Sequence, residues 1–317
     1  MHTHDGTSRA NRDTRREFLA AAGGVTAGIV ATAGCLGTSD RVRVLSAGSL
    51  AVVLEEHVGP AFESETGISY EGEYHGSNIV MRMIEDGTKH PDVVVSADVE
   101  LLRDRLYPDR AEWDLEFAAN EVGIVYNPET ELGARLEADE PWYEVFADAD
   151  ADEIAISDPD LDPLGYRAVH LFELAEHRYG LEGFRETMLE RTYWEPNEPQ
   201  LLTGIEAGNR ACAVAYRNMA ADHDLPFRAL SDAYNFGNPE YAEEYAEASY
   251  TTEDGYSTVG TPTIYNATVR TDADNPEAGR EFVSSLGTAS SLLEAHGLRV
   301  GDSLPRGNGD VPGAIEL

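Results

Sequence analysis

Ile156-Ser157-Asp158-Pro159-Asp160-Leu161-Asp162-Pro163-Leu164-Gly165-Tyr166-Arg167 is the stretch from which the rest of the chain can be read. An apolar strand over 153–156 runs into an acidic loop. Asp162-Pro163 then opens an amphipathic helix that carries Val169, Phe172, Leu174, Ala175 and Tyr179 and stops at Gly180. Asp162 stands at the N-cap. Proline at the first helical position has no N–H to leave unpaired, so the free donors begin at Leu164, at the positive end of the helix dipole. Such an end suits an anion, although an ordinary capped helix after a turn has the same pattern. The chain repeats the construction three more times, which favours the anion site.

Residues 1–34 read as an address. Thr14-Arg15-Arg16-Glu17-Phe18-Leu19 has the form of a twin-arginine export signal, followed by an Ala/Gly-rich run over 20–30. Thr32-Ala33-Gly34-Cys35 resembles a lipoprotein processing box, in which Cys35 becomes the lipid-bearing first residue and 35–40 a tether. The apolar run is shorter than the roughly 20 residues a membrane span needs. A protein exported by the twin-arginine route and lipid-anchored on the extracellular face of the cell membrane is therefore expected.

Asp and Glu number 59 against 23 Lys and Arg, a formal charge of −36, and Lys89 is the sole lysine. With 42% hydrophobic residues in regular periodicity this is not a disordered chain; it has the solvated acidic surface expected of an extreme halophile's protein. Nucleic acid and anionic lipid surfaces are excluded as partners. A small anion is not, because at ionic strengths near 1 M the screening length is roughly 3 Å and only contacting groups count. Once Cys35 is lipidated Cys212 stands alone, so no intramolecular disulfide is available. Cys212 lies in an apolar strand and reads as core.

Strand, turn and helix alternate from 42 onward: a strand at 42–45, a Gly-Ser turn at Gly48-Ser49, a helix over 50–62, a strand over 68–74, and Ser77 as N-cap of a helix stopped by Gly87. Asp92 to Ser96 is a short apolar strand of the buried parallel kind. This pattern is that of a doubly wound α/β lobe. The stretch FAANEVGIVYN (117–127) crosses to a second lobe, and 261–269 carries the chain back. Glu198-Pro199 repeats the acid-proline pair of Asp162-Pro163, and Tyr216 ends a buried strand. The Tyr- and Glu-rich stretch 232–257 reads as a surface excursion. The expected organisation is 41–120 with 260–317 as one lobe and 121–259 as the other.

Ala47-Gly48-Ser49-Leu50, Gly76-Ser77, Ser96-Ala97-Asp98, 117–126, Asp162 to Arg167 and Tyr216, in this order and spacing, resemble the substrate-binding proteins of archaeal tungstate and molybdate ABC importers. The resemblance covers about 41–298. It implies a type II periplasmic-binding-protein fold, α/β, with two lobes joined by two crossing strands and an oxyanion held in the cleft for delivery to a membrane permease. It further implies that Gly48, Ser49 and Ser77 supply first-lobe donors. Asp162 and Glu198 would be carboxylate ligands of the metal centre, Leu164 a backbone donor and Tyr216 a hydroxyl donor. Asp160 is the alternative to Asp162, since Asp160-Leu161-Asp162 replaces a more usual pair of adjacent aspartates. No cofactor is implied beyond the oxyanion itself.

The carboxylates make chemical sense on this reading. A carboxylate about 4 Å from a dianion is repelled even in water, so a sulfate or phosphate site wants donors only. Tungsten(VI) and molybdenum(VI) are hard centres that accept further oxygen ligands. A binding protein for another oxyanion such as sulfate, or an extracytoplasmic hydrolase with paired carboxylates, are the alternatives. Against the hydrolase, a helix start is expected to lower the pKa of Asp162 and Glu198. Ser49 lacks the Gly-x-Ser-x-Gly context of a nucleophile, and the histidines include no helical metal pair.

Overall fold

The computed structural model describes residues 41–315; the export and lipidation motifs, Cys35 included, lie outside them. The described strands, in chain order, are Arg41–Ala47 (β1), Ser69–His75 (β2), Val93–Ser96 (β3), Trp113–Ala119 (β4), Val122–Tyr126 (β5), Ile154–Ser157 (β6), Tyr193–Glu195 (β7), Cys212–Tyr216 (β8), Phe227–Ala229 (β9), Ser249–Thr251 (β10), Ser257–Val259 (β11), Ile264–Val269 (β12) and Arg306–Gly309 (β13). They form a sheet of order β13-β4-β12-β3-β1-β2, a second of order β7-β6-β8-β5-β9, and the hairpin β10-β11.

In the first sheet β1 pairs in parallel with β2 and β3, while β12 is antiparallel to β3 and β4. The strand β3 (VVVS) is wholly buried because both its faces are covered. Val93 and Val95 face Phe62, Phe282 and Leu286, whereas Val94 faces Leu45, Leu101 and Leu102 on the opposite side. The period-2 alternation of a strand thus feeds two separate cores, the doubly wound arrangement the sequence predicts.

The second sheet is built on β8, parallel to β6 and antiparallel to β5. Its core gathers Trp142, Phe146, Phe172, Phe184 and the strand CAVAY. Cys212 is fully buried there as a free thiol, and burial raises its pKa. The helix Pro163–Tyr179 packs on this sheet; it is capped by Asp162, starts with proline and ends at Gly180, whose φ of 67° a residue with a Cβ adopts only at a cost.

Only Asn120 and Glu121 separate β4 in the first sheet from β5 in the second, so the expected extended stretch 117–127 is two strands with a joint between them. Asn120 N–H donates to the Thr263 carbonyl of the returning segment (3.0 Å), and Val122 N–H to Asn235 O (2.8 Å). The Glu121 carboxylate is gripped by Arg217 and Arg299.

Three local expectations need correction. The single helix predicted over 50–62 is a short 3-10 turn at Gly48–Leu50, a π-helical stretch at Val53–Val58 and an α-helix at Gly59–Thr66. Ser77 is the first helical residue and Gly76 the N-cap; the Ser77 hydroxyl accepts the Ala97 N–H (3.1 Å). The 232–257 stretch is no mere surface excursion, because Tyr234, Phe236, Tyr245 and Ala248 enter the second core. Aromatic residues bury enough area to anchor a segment whose charged neighbours stay wet.

The hairpin β10-β11 reaches back from that segment to the first lobe. Asp254 accepts from Arg82 (3.1 Å) and Arg105 (2.8 Å), and the Arg105 guanidinium lies 5.1 Å from the Tyr256 ring centre. These pairs are partly exposed, so each contributes only about 0.2–1 kcal/mol. Replacing Asp254 with Ala should therefore cost about 2 kcal/mol of unfolding free energy at most and make the hairpin a preferred site of limited proteolysis. Urea titration and timed digestion measure the two effects; a hairpin cut no faster than in the parent protein shows that Asp254 does not hold it.

Candidate functional site

Each of the side chains singled out in the sequence stands at or just after the carboxyl end of a strand, where open α/β sheets place their ligands. Ser49 follows β1, Ser77 follows β2, Asp162 lies in the loop after β6, Glu198 in the 3-10 turn Glu198–Gln200 after β7, and Tyr216 ends β8. Ser49, Ser77, Asp162, Glu198 and Tyr216 are all nearly inaccessible to solvent, Asp162 and Glu198 at 2% exposure each. Two lobes meet around them. A Cβ on Gly48 would come within 2.7 Å of Glu198 Oε2 and of Pro199 Cδ, and one on Gly76 would press on the Leu161 carbonyl and lie 3.0 Å from Asp162 Cβ. Glycine at both positions is what lets the lobes approach.

Asp162 and Glu198 face each other in direct side-chain contact. Asp162 Oδ1 accepts the Leu164 N–H (2.5 Å), but Asp162 Oδ2 and both Glu198 carboxylate oxygens are buried with no completed hydrogen bond. The Ser49 hydroxyl and N–H lie toward Glu198 and favour its charged form without reaching ordinary bonding geometry. Asp160 does not share the position: its carboxylate accepts the Tyr250 hydroxyl (3.1 Å) and the Glu253 N–H (2.8 Å) of the hairpin segment. The Leu164 N–H, expected as a free donor, is taken by its own N-cap.

Burial pushes Asp162 up to about 6 and Glu198 well above the usual carboxylate range, the latter also because Asp162 faces it. This reverses the expectation from helix starts. A helix end contributes roughly 0.3–1 kcal/mol, whereas taking a carboxylate out of water costs several kcal/mol, so desolvation decides the sign. In addition, Glu198 does not cap an α-helix but opens a one-turn 3-10 segment after Asn197. Helix position therefore gives no ground against an acid catalyst at Asp162 or Glu198. Among the described residues no three His, Cys, Asp or Glu side chains converge as a metal-ion site.

Several neighbours were not singled out. Asn218 Nδ2 donates to the Ser49 carbonyl (2.6 Å), Asn120 Nδ2 to Asn218 Oδ1 (2.7 Å), and the Tyr265 hydroxyl to Ser49 Oγ (3.2 Å). This chain ties the joint at Asn120 to the Ser49 turn. Asn120 and Tyr265 sit in the two crossing stretches and Asn218 in the helix Arg217–Asp222 after β8, which marks them in the sequence only once the lobes are known. Arg167 and Asp98 form a buried ion pair across the lobes (3.1 Å).

The chain matches the model of a family described as bacterial extracellular solute-binding proteins over residues 42–299. A solute-binding protein of Halobacterium salinarum, itself uncharacterised, is 48% identical over 304 residues, 96% of this chain and 97% of its own length. The molybdate/tungstate-binding protein of Thermococcus kodakarensis is 29% identical over 297 residues, 81% of this chain and 83% of its own. Among solved structures, a periplasmic molybdate-binding protein of Azotobacter vinelandii superposes with a TM-score of 0.62 over 82% of this chain and all of its own, at 16% identity, and so shares the fold.

Because the Asp162 and Glu198 pKa values are raised, the protonated pair is favoured when the lobes are together. Stability of that arrangement is lost as pH rises through about 6 and beyond, when two carboxylates are left facing each other. Without added oxyanion, the radius of gyration from small-angle scattering should grow between about pH 5 and pH 8, and Glu198→Gln should flatten the change. A pH-independent radius in the parent protein rules out the pair as the cause.

Proposed function

Since the chain belongs to the family of extracellular solute-binding proteins, we propose that it captures tungstate or molybdate between its lobes and delivers the oxyanion to the permease of an ABC importer. Ser49, Ser77 and Tyr216 donate hydroxyl hydrogen bonds to the oxyanion, with the backbone at Gly48 and Ser49 adding N–H donors. Asp162 and Glu198 complete the shell around the metal. Leu164 serves by holding Asp162 Oδ1, which leaves Oδ2 to ligate. The twin-arginine signal and Cys35 suit export and lipid anchoring at the outer face of the membrane; among the described residues no helix is long and apolar enough to cross it.

The observation that carries this reading is the set of three buried carboxylate oxygens that receive no completed hydrogen bond, beside hydroxyl donors from both lobes. Sulfate offers ionised carboxylate oxygens nothing, since its sulfur accepts no further ligands and it carries no proton to donate. A carboxylate facing a dianion at about 4 Å costs about 2 kcal/mol in water and about 8 at an effective dielectric of 20. A hexavalent group-six centre takes the same oxygens as ligands. The pair is therefore both a binding group and a filter against sulfate.

Raised pKa values are what a general acid needs, so a hydrolase is weighed on geometry. Retaining and inverting glycosidases hold their carboxyl groups about 5–5.5 Å or 6.5–9.5 Å apart to admit a sugar or a water. Asp162 and Glu198 are in contact. The pair thus lacks the spacing of a glycosidase, and the work proposed for the protein is capture, closure and release.

Calorimetric titration tests the proposal. Tungstate or molybdate should bind tightly with no turnover and sulfate at least about a hundredfold more weakly, a difference of roughly 2.7 kcal/mol. Glu198→Gln should weaken tungstate and narrow that gap. Retained affinity for both anions in that variant removes Glu198 from the site, and tight sulfate binding without tungstate binding overturns the ligand.

The pH dependence separates coordination from hydrogen bonding. If the metal takes the carboxylate oxygens, the proton held by the raised pair leaves on binding, so affinity rises with pH through about 6. Should a protonated carboxyl instead donate to an oxyanion oxygen, affinity falls over the same range. Titrations in buffers of different ionisation heat count the protons released.

A further inference from the structure

Arg167 projects from the first turns of the helix capped by Asp162, and its side chain is 1% exposed. A buried guanidinium persists only with partners for its charge and donors. Its Nη1 donates to the Tyr216 hydroxyl oxygen (2.8 Å) and to the Ala97 carbonyl (3.1 Å), and its Nη2 to Asp98 Oδ2 (3.1 Å). The Tyr166 hydroxyl donates to the same Asp98 oxygen (2.6 Å). Asp98 Oδ1 is occupied as an N-cap, accepting the N–H groups of Glu100 and Leu101. Ala97 and Asp98 follow β3 in the first lobe, whereas Arg167, Tyr166 and Tyr216 belong to the second. Its Nε is buried without a hydrogen-bond partner, and the guanidinium keeps its charge partner Asp98 and its Ala97 acceptor only when the lobes are together.

A tyrosine hydroxyl has one proton to give. Arg167 occupies an acceptor position on the Tyr216 oxygen, so that proton is directed elsewhere, and the acidic groups acting on Tyr216 within the cleft are Asp162 and Glu198. Arg167 itself spends its charge on Asp98 and is not free to bind an anion.

We propose that Arg167 is a positioning residue that couples lobe closure to ligand retention: anchored on Asp98 and the Ala97 carbonyl of the opposite lobe, it fixes the Tyr216 hydroxyl as a donor aimed at the oxyanion. This rests on the oxyanion reading of the cleft for its binding half; the closure half stands on the interlobe contacts alone.

The cleanest variant is Asp98→Asn, which keeps the N-cap, since Asn caps as well as Asp, and removes the charge that Arg167 needs. Arg167→Lys keeps charge and loses the fork. In the full chain, both should bind tungstate about tenfold more weakly, chiefly through faster release in stopped-flow competition with molybdate, while circular dichroism is unchanged. In a Tyr216→Phe background the further loss from Asp98→Asn should shrink to less than about threefold, because the hydroxyl it serves is gone. A folded Asp98→Asn protein with parental affinity and release overturns the proposal. So does a loss that simply adds to that of Tyr216→Phe, as a purely structural role predicts. If the parent protein binds neither tungstate nor molybdate, the oxyanion reading fails, and scattering judges the latch by itself. Asp98→Asn must then give a larger radius of gyration than the parent at the same pH, and an equal radius overturns the latch.

Discussion

Two carboxyl groups buried against each other set the terms for the rest of the molecule. Asp162 and Glu198 arrive from different strands of the second lobe and are closed over by the Gly48 and Gly76 turns of the first. Ordinary stability would avoid the arrangement, because a buried carboxylate costs several kcal/mol unless a cation or donors compensate it. Here Asp162 has one backbone donor, and the remaining oxygens have none at bonding geometry. The raised pKa values express that deficit in the closed molecule: a proton is the cheapest way to offset the repulsion. On the proposed function, an electrophilic centre that accepts both groups would offset it in another way, and closure would then be conditional on a ligand with that property.

The surrounding architecture keeps this conditional closure reversible. The lobes are joined by only two residues between β4 and β5 and by the returning segment before β12, so bending the joint disturbs few backbone hydrogen bonds. Away from the joint, the interlobe contacts are mostly polar. They include the Asp98–Arg167 pair, the Tyr166 bond to Asp98, the Arg82 and Arg105 contacts to Asp254, the Arg82 bond to the Asp160 carbonyl and the Asn218 bond to the Ser49 carbonyl. Polar contacts exchange with water at little net gain, each about 0.5–1.5 kcal/mol, whereas the apolar cores lie within the separate lobes. Separation of the lobes therefore exposes little hydrophobic surface, and a small ligand's differential affinity is enough to shift the balance.

What the sequence discloses divides along the same line. Features set by local periodicity and capping were legible: the apolar run of β3, the Asp162-Pro163 start and Gly180 stop of the long helix, and Tyr216 at the end of CAVAY. Features set by desolvation or by distant partners were not. Glu198 after Asn197 has the sequence of any solvated first-turn acid, and nothing local announces that Gly48, about 150 residues earlier in the chain, will cover it. The pKa directions were misjudged for that reason: dipole effects can be read from position in a helix, but burial cannot. Arg167 likewise pairs with a carboxylate 69 residues away. The Tyr-rich segment was misread because its acids are solvated while its aromatics are not, and composition averages the two.

The chain's acidity and its buried pair obey one rule in two environments. An acidic residue at the surface faces solvent, where dissolved ions screen it over about 10 Å at 0.1 M salt and about 3 Å at 1 M, and like charges coexist at small cost. Inside the cleft no ion intervenes and the effective dielectric is lower, so the same functional group becomes strongly discriminating. Selectivity then needs no additional positive charge. Arg167, the cation acting on Asp162, is already bound to Asp98, so an incoming dianion meets hydroxyl and amide donors together with two acids. On the proposed function, only an anion whose central atom can take the acids as ligands would convert that repulsion into bonding. The proposed filter against commoner oxyanions thus lies in the feature that would make a poor general anion site.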